Sequence, residues 1–134
     1  MSESIGVRLF LVRHAHAESG DPDSLRPLSE RGRKQARKLG ERLVPLEPEL
    51  VLASPLLRAR ETAAAIAKAT GAELRIDERL APGADADDVL AAIEGAGEIV
   101  VTVGHQPDCS EIAAALGAGQ HDFPTAGMVE VELS

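Results

Sequence analysis

Four stretches of the sequence carry residue types suited to holding and transferring an anionic group. Arg13-His14 closes an apolar run that begins at Val7, and Arg26 lies in the polar loop that follows. Ser54 to Arg58 comes directly after a second apolar run, Leu50 to Ala53, and Gly104-His105 closes a third, Ile99 to Val103. Guanidinium forks pair with the oxygens of a tetrahedral dianion, and an imidazole supplies either a nucleophile or a hydrogen-bond donor. Any one of these residues alone reads more readily as a surface or capping residue. Their joint position at corresponding strand ends is what points to one pocket.

For that pocket to exist, the elements must bring those ends together. Val7 to Val12, Leu50 to Ala53 and Ile99 to Val103 read as short buried strands. Glu73 to Ile76 alternates and is expected at a sheet edge, and Met128 to Leu133 alternates as a half-exposed terminal strand. Ala17 to Arg26 is turn chemistry and is expected as a loop. Ser29 is expected to cap a helix with Ala36, Leu39 and Leu43 on one face, stopped by Pro45 and Pro48. Ser54-Pro55 reads as an N-cap with proline at the first helical position, opening a helix that ends at Gly71. Asp85 opens a helix with Val89, Leu90 and Ile93 inward, and Asp108 with Glu111 reads as a capping pair for the next. Strands alternating with helices predict a three-layer α/β/α sandwich with a mainly parallel sheet, whose functional residues gather at the carboxyl ends of the strands.

Composition narrows the function classes. The 134 residues fit a single domain over 1–134, and 44% hydrophobic with 27% charged residues is a globular balance. With two Phe and no Tyr or Trp, the core must be aliphatic and rich in Ala, and rings for stacking on single-stranded nucleic acid are lacking. A net charge of −8, from 14 Lys plus Arg against 22 Asp plus Glu, repels nucleic acid and anionic membranes at long range. The single Cys109 suits a reducing compartment, and no run approaches the ~20 apolar residues of a membrane span, so a cytoplasmic protein is expected.

The motifs Leu11-Val12-Arg13-His14-Ala15, Arg26-Pro27-Leu28-Ser29-Glu30-Arg31-Gly32, Ala53-Ser54-Pro55-Leu56-Leu57-Arg58-Ala59 with Glu61-Thr62-Ala63, and Val103-Gly104-His105-Gln106-Pro107 resemble the histidine phosphatase superfamily. The nearest branch is that of the short SixA-type phosphohistidine phosphatases. The resemblance implies a phosphoglycerate-mutase-like fold and a phosphatase needing neither cofactor nor metal. Its substrate would be a protein phosphohistidine or a small phosphomonoester, cleaved through a phosphorylated histidine. By the same resemblance His14 is the nucleophile, Arg13, Arg58 and His105 are its phosphate-pocket partners, and Arg26 is the further arginine of the phosphohistidine-phosphatase branch. Ala15 stands where many members have Gly. Larger relatives place an acid after the third strand, where Asp77-Glu78-Arg79 offers Glu78 as general acid; an exposed loop carboxylate is the other reading. His14 must be neutral to attack phosphorus, and Arg13 and Arg58 should disfavour its protonated form.

Other chemistries fit less well. Asp85-Ala86-Asp87-Asp88 imitates the two-aspartate signature of Mg²⁺-dependent haloacid-dehalogenase-type phosphatases, but Pro82-Gly83-Ala84 precedes it instead of a buried strand; acids in a helix's first turn explain it better. A cysteine phosphatase needs an Arg six positions after its Cys, where Ala115 stands, and a phosphate-binding glycine loop ending in Lys-Ser or Lys-Thr is missing. His16 reads as solvated and not as a metal ligand. His121 reads as a surface residue, and the sequence does not show whether Thr125 reaches the pocket rim. Two classes remain, an enzyme and a non-catalytic phosphate-binding module. A paired His14 and His105 favour the enzyme.

Overall fold

Alternation along the first strand sorts the core. β1 (Val7–Arg13) sends Leu9 and Leu11 to one face of a sheet and Phe10 and Val12 to the other, all buried. The computed structural model describes residues 6–134 and contains four further strands, β2 (Leu50–Ala53), β3 (Glu73–Ile76), β4 (Ile99–Gly104) and β5 (Met128–Leu133). They lie in the order β3-β2-β4-β1-β5, with β5 antiparallel to β1 and the remaining pairs parallel.

Helices cover both faces. α1 (Glu30–Leu43) and α2 (Leu57–Thr70) bury Leu39, Leu43, Ala63 and Ile66 against Phe10, Val12, Val51 and Val101. On the other side, α3 (Ala86–Ile93) and α4 (Asp108–Ala115) bury Val89, Ile93, Ile112 and Ala113 against Leu9, Leu11, Leu52 and Val100. This is the expected α/β/α sandwich with a mostly parallel sheet. Burial on both faces is why β1, β2 and β4 read as unbroken apolar runs. β3 is exposed throughout, as an edge strand. No helix among the described residues is long and apolar enough to cross a membrane.

Parallel register sets the site. Arg13 pairs with Gly104 across β1–β4, and Ala53 pairs with Val103 across β2–β4. Two further backbone bonds continue the ladders, His14 N to Gly104 O and Ser54 N to Val103 O, each 3.0 Å. Arg13-His14, Ser54 and Gly104-His105 therefore leave the sheet side by side at one edge.

Several local expectations differ. α2 starts at Leu57 with Leu56 as its N-cap; Ser54 lies two residues upstream, where its hydroxyl accepts Leu56 N at 3.3 Å and meets His105 Nε2 at 2.7 Å. Asp108 does not form a capping pair with Glu111: its carboxylate accepts Gly83 N at 2.8 Å, and Pro107 occupies the N-cap position. Leu90 is 39% exposed and does not face the core. The Ala17–Arg26 loop contains a 3-10 turn at Asp23–Leu25 and is pinned at its base by an Ala17–Leu28 bridge. The Ser29 cap on α1 and the Asp85–Asp88 capping box on α3 are both present.

Candidate active site

The loop leaving β1 is held from below by the helices. Ser29 Oγ accepts Gly32 N, closing the start of α1, and lies 2.7 Å from His16 Nδ1. A Cβ at position 32 would stand 1.9 Å from the His16 carbonyl oxygen, so only glycine lets α1 approach this loop. His16 is thus a half-buried strut, where a solvated residue was expected. Gln35 of α1 accepts His16 N at 2.8 Å and donates to Thr125 at 3.3 Å. From α2, Thr62 Oγ1 accepts Ala15 N at 3.0 Å while donating to Arg58 O. Ala15 is fully buried, which fits a position reserved for a small residue.

This frame orients the two imidazoles. His14 Nδ1 lies 2.7 Å from the Ala15 carbonyl oxygen, which only accepts, so Nδ1 carries the proton and Nε2 keeps its lone pair. The His14 and His105 rings are 5.3 Å apart between centroids and tilted by 58°. His105 Nε2 meets Ser54 Oγ at 2.7 Å. Burial lowers His14 from its ordinary 6.5 to about 4, opposed by the Ala15 carbonyl and reinforced by Arg58, Arg13 and Arg26. Burial likewise lowers His105 to about 4, reinforced by His14, Arg58 and Arg13, while Asp23 opposes. Both rings are neutral at neutral pH.

The arginines surround them. Arg58, only 8% exposed, donates to the Asp23 carbonyl at 3.0 Å and to Asp23 Oδ2 at 3.2 Å. Arg26 donates to the other oxygen of the same carboxylate at 3.0 Å and to the Glu18 carbonyl at 2.7 Å. Hydrogen bonding to Arg26, with the charge of Arg58, holds the Asp23 carboxyl below the usual range. Arg13 donates to the Phe123 carbonyl at 2.9 Å. Among the described residues, only Arg13 Nε and His105 Nδ1 are buried side-chain nitrogens or oxygens without a partner. Both belong to this cluster, and unpaired buried polar atoms in a native structure call for a ligand, a water or a catalytic role.

The structure thus brings His14, His105, Arg13, Arg26 and Arg58 to one edge of the sheet. Glu78 makes no hydrogen bond or ion pair with them among the described residues. It opens a 3-10 turn (Glu78–Leu80) after the edge strand, is exposed, and forms no side-chain hydrogen bond or ion pair among the described residues. The carboxylate that does reach the arginines is Asp23, which in the sequence stands only as turn chemistry. Cys109 is no rival nucleophile, since burial pushes its thiol up to about 12. Among the described residues, no group of three or more His, Cys, Asp or Glu is placed to hold a metal ion.

This arrangement of paired imidazoles in an arginine frame coincides with a family pattern. The profile of the histidine phosphatase superfamily (branch 1) matches residues 9–82. The chain belongs to that superfamily. Among solved structures, this histidine phosphatase is similar to the protein histidine phosphatase SixA complexed with tungstate, at 25% identity and a TM-score of 0.83, covering 92% of this chain and 86% of that one. It is also similar to a SixA structure from Nakamurella multipartitia, at 30% identity and a TM-score of 0.73, covering 86% of this chain and 68% of that one. A protein of Picosynechococcus sp. (strain PCC 7002) is 36% identical over 128 residues, 85% of this chain and 75% of that protein. The chain spans only 37% of phosphoserine phosphatase 1 of Hydrogenobacter thermophilus, with 39% identity over 83 residues. Fold and relatives make this a SixA-type member and support phosphatase activity.

Proposed function

We propose that this histidine phosphatase removes phosphoryl groups from phosphohistidine on proteins, through a covalent phosphoenzyme on His14 and without a metal ion. The observation that carries the reading is the state of His14: a neutral ring whose Nδ1 proton is committed to the Ala15 carbonyl, leaving Nε2 as a lone pair among arginines. In the first step Nε2 attacks phosphorus in line, and the bond to the substrate's imidazole nitrogen breaks; that nitrogen keeps the bond's electron pair, and a substrate ring protonated on its other nitrogen leaves as neutral imidazole. In the second step water attacks the same phosphorus, the bond to Nε2 breaks, and phosphate leaves with neutral His14 restored. Arg13, Arg58 and Arg26 offset the charge spread over the equatorial oxygens. An arriving dianion also favours protonation of His105, making it a further donor. The choice of phosphohistidine is supported by likeness to SixA structures. A small phosphomonoester is the second reading, supported by the match to a phosphoserine phosphatase.

Turnover of a chemically phosphorylated histidine protein against a panel of sugar, nucleotide and amino-acid phosphates tests the substrate. The phosphohistidine protein is expected to have the highest kcat/KM. A phosphomonoester exceeding it tenfold would install the second reading, and inactivity on the whole panel would leave a binding module. A chelator is expected to leave turnover unchanged; loss restored by Mg²⁺ would overturn the metal-free scheme.

A further inference from the structure

The helix that props up the site is charged opposite to the rest of the molecule. α1 holds six of the chain's 14 Lys and Arg and only two of its 22 Asp and Glu. The helix is therefore +4 in a chain of −8, and the remaining residues together are −12. Four of the six cations, Arg31, Lys34, Lys38 and Arg42, recur at the spacing of one helical face, and all are exposed. At ~1.5 Å rise per residue the stripe is about 16 Å long. Its only ion pair among the described residues is a long one, Lys34 to Glu30 at 3.9 Å.

The stripe also has a defined relation to the chemistry. Gln35 lies in the same hollow as Arg31, Lys34 and Lys38, and its side chain holds His16 N and Thr125. The next residue, Ala126, donates its N–H to the His14 carbonyl at 3.0 Å. The stripe therefore starts beside the His14 loop and runs away from it along the flank. Helix stability accounts for Arg42 alone of the stripe's cations, since it sits in the last turn. Arg31 sits in the first turn, where a cation opposes the dipole. Solubility does not require the stripe either, since a protein of −8 is already charged.

We propose that the Arg31–Lys34–Lys38–Arg42 stripe is a docking surface for the protein that carries the phosphohistidine, and that this partner presents an acidic helix or ridge beside its phosphorylated residue. The proposal deepens the reading of the site given above and takes its substrate from it. A compact acidic ridge fits a short cationic stripe bounded by Glu30, Glu41 and an acidic remainder. An extended polyanion such as RNA would be driven over those flanks and repelled.

The probes are two helical peptides with phosphohistidine near one end, one with four Glu along a single face and one with Gln in their place, together with the free phosphohistidine amino acid. The variant carries Arg31→Glu, Lys34→Glu, Lys38→Glu and Arg42→Glu, all exposed, with folding checked by circular dichroism. In low salt the Glu peptide is expected to exceed the Gln peptide in kcat/KM on the order of tenfold, through KM. That advantage should vanish in the variant and shrink as salt rises past the ~8 Å screening length of physiological buffer. Turnover of the free amino acid should stay within about twofold. Equal kcat/KM for the two peptides, or an advantage that survives charge reversal, would overturn the proposal. So would tighter stripe-dependent binding of single-stranded RNA or of phosphatidylserine vesicles, or a dimer that the variant dissolves. If no phosphohistidine probe is turned over, the functional reading fails; anisotropy with the unphosphorylated peptides still decides docking. Should the variant misfold, Lys34→Glu with Lys38→Glu, expected to lose most of the advantage, replaces it.

Discussion

The rim formed by β1, β4 and β2 and the rim after β3 belong to the same sheet edge and differ in almost every physical respect. On the central rim, strands with both faces covered hand their last residues into a space where His14 and His105 are neutral. Arg58 is nearly buried there, and a single carboxylate is divided between two guanidiniums. On the β3 rim, Asp77 caps its own turn and pairs with Arg79 two residues away, and Glu78 is left in solvent. Charges arranged in low dielectric act on one another and on a ligand with little screening; the same charges in water do not. Chemistry follows covered strand ends, and a carboxylate counts by where its loop carries it.

The strongest test of the comparison removes the nucleophile. His14→Ala is expected to lower turnover by at least ~10³-fold, as removal of a covalent nucleophile does elsewhere. Label from a radiolabelled substrate, quenched without acid, should be alkali-stable and map to His14 in the parent and be absent from the variant. Unchanged turnover would falsify the assignment.

Next come the arginines. A charge-assisted hydrogen bond is worth ~1.5–3 kcal/mol, and each ~1.4 kcal/mol is about tenfold. Arg58→Ala should therefore cut kcat/KM by roughly ten- to a few-hundred-fold. Arg26→Ala should fall at the low end, because its side chain is three times as exposed as that of Arg58. Arg37→Ala, on the exposed flank of α1, should leave small-substrate turnover nearly unchanged. If Arg37→Ala is as damaging as Arg58→Ala while both variants stay folded, the central rim is not the site.

The neutrality of the histidines gives a third test. An imidazole of ordinary pKa near 6.5 is ~90% protonated at pH 5.5, whereas one lowered to about 4 stays neutral there. NMR titration of the free protein should show two imidazoles holding neutral well below pH 6, assigned by the disappearance of one resonance in His14→Gln. Stability has the matching sign. The unfolded chain takes up these protons as pH falls through about 6.5, and the native site resists until about 4. The melting temperature should therefore decline across that interval, and less steeply in His14→Gln. Titration of both rings near 6.5 would mean the central rim is as wet as the β3 rim.

How far the sequence could be read depended on the range of each interaction. Burial on two faces writes itself locally, so β1, β2 and β4 are unbroken apolar runs, and their parallel order aligns Arg13-His14 with Gly104-His105. Local caps were legible for the same reason: Ser29 and the Asp85–Asp88 pair find partners three residues away. Polar residues whose partners are distant were not. Ser54 and Asp108 both carry capping chemistry, but one engages His105 and the other Gly83. Asp23 meets Arg58, 35 positions along the chain, and only the folded path of the loop reveals it. Glu78 was the reverse case, a carboxylate at the position a family pattern suggests, exposed and without a side-chain partner among the described residues.

The smallest predicted effect is the one at Glu78. A general acid must lie within hydrogen-bond reach of the atom it protonates, directly or through one water, and work best with a pKa near the operating pH. Glu78 sits after β3, which β2 and β4 separate from β1, and among the described residues no hydrogen bond or ion pair links it to the His14 cluster. Its removal strips neither a buried partner nor a cap, since Asp77 supplies the cap of that turn. Glu78→Gln should therefore keep kcat and kcat/KM within about twofold of the parent, as exposed substitutions usually do. Asp23→Asn, a change of the same size on the central rim, should alter kcat/KM by more, because it removes the charge that Arg26 and Arg58 share. Steady-state kinetics on the pair, with leaving groups of differing basicity, separates the cases. A loss in Glu78→Gln that grows with leaving-group basicity would mean that the β3 loop swings in to donate a proton. The two rims would then form one site.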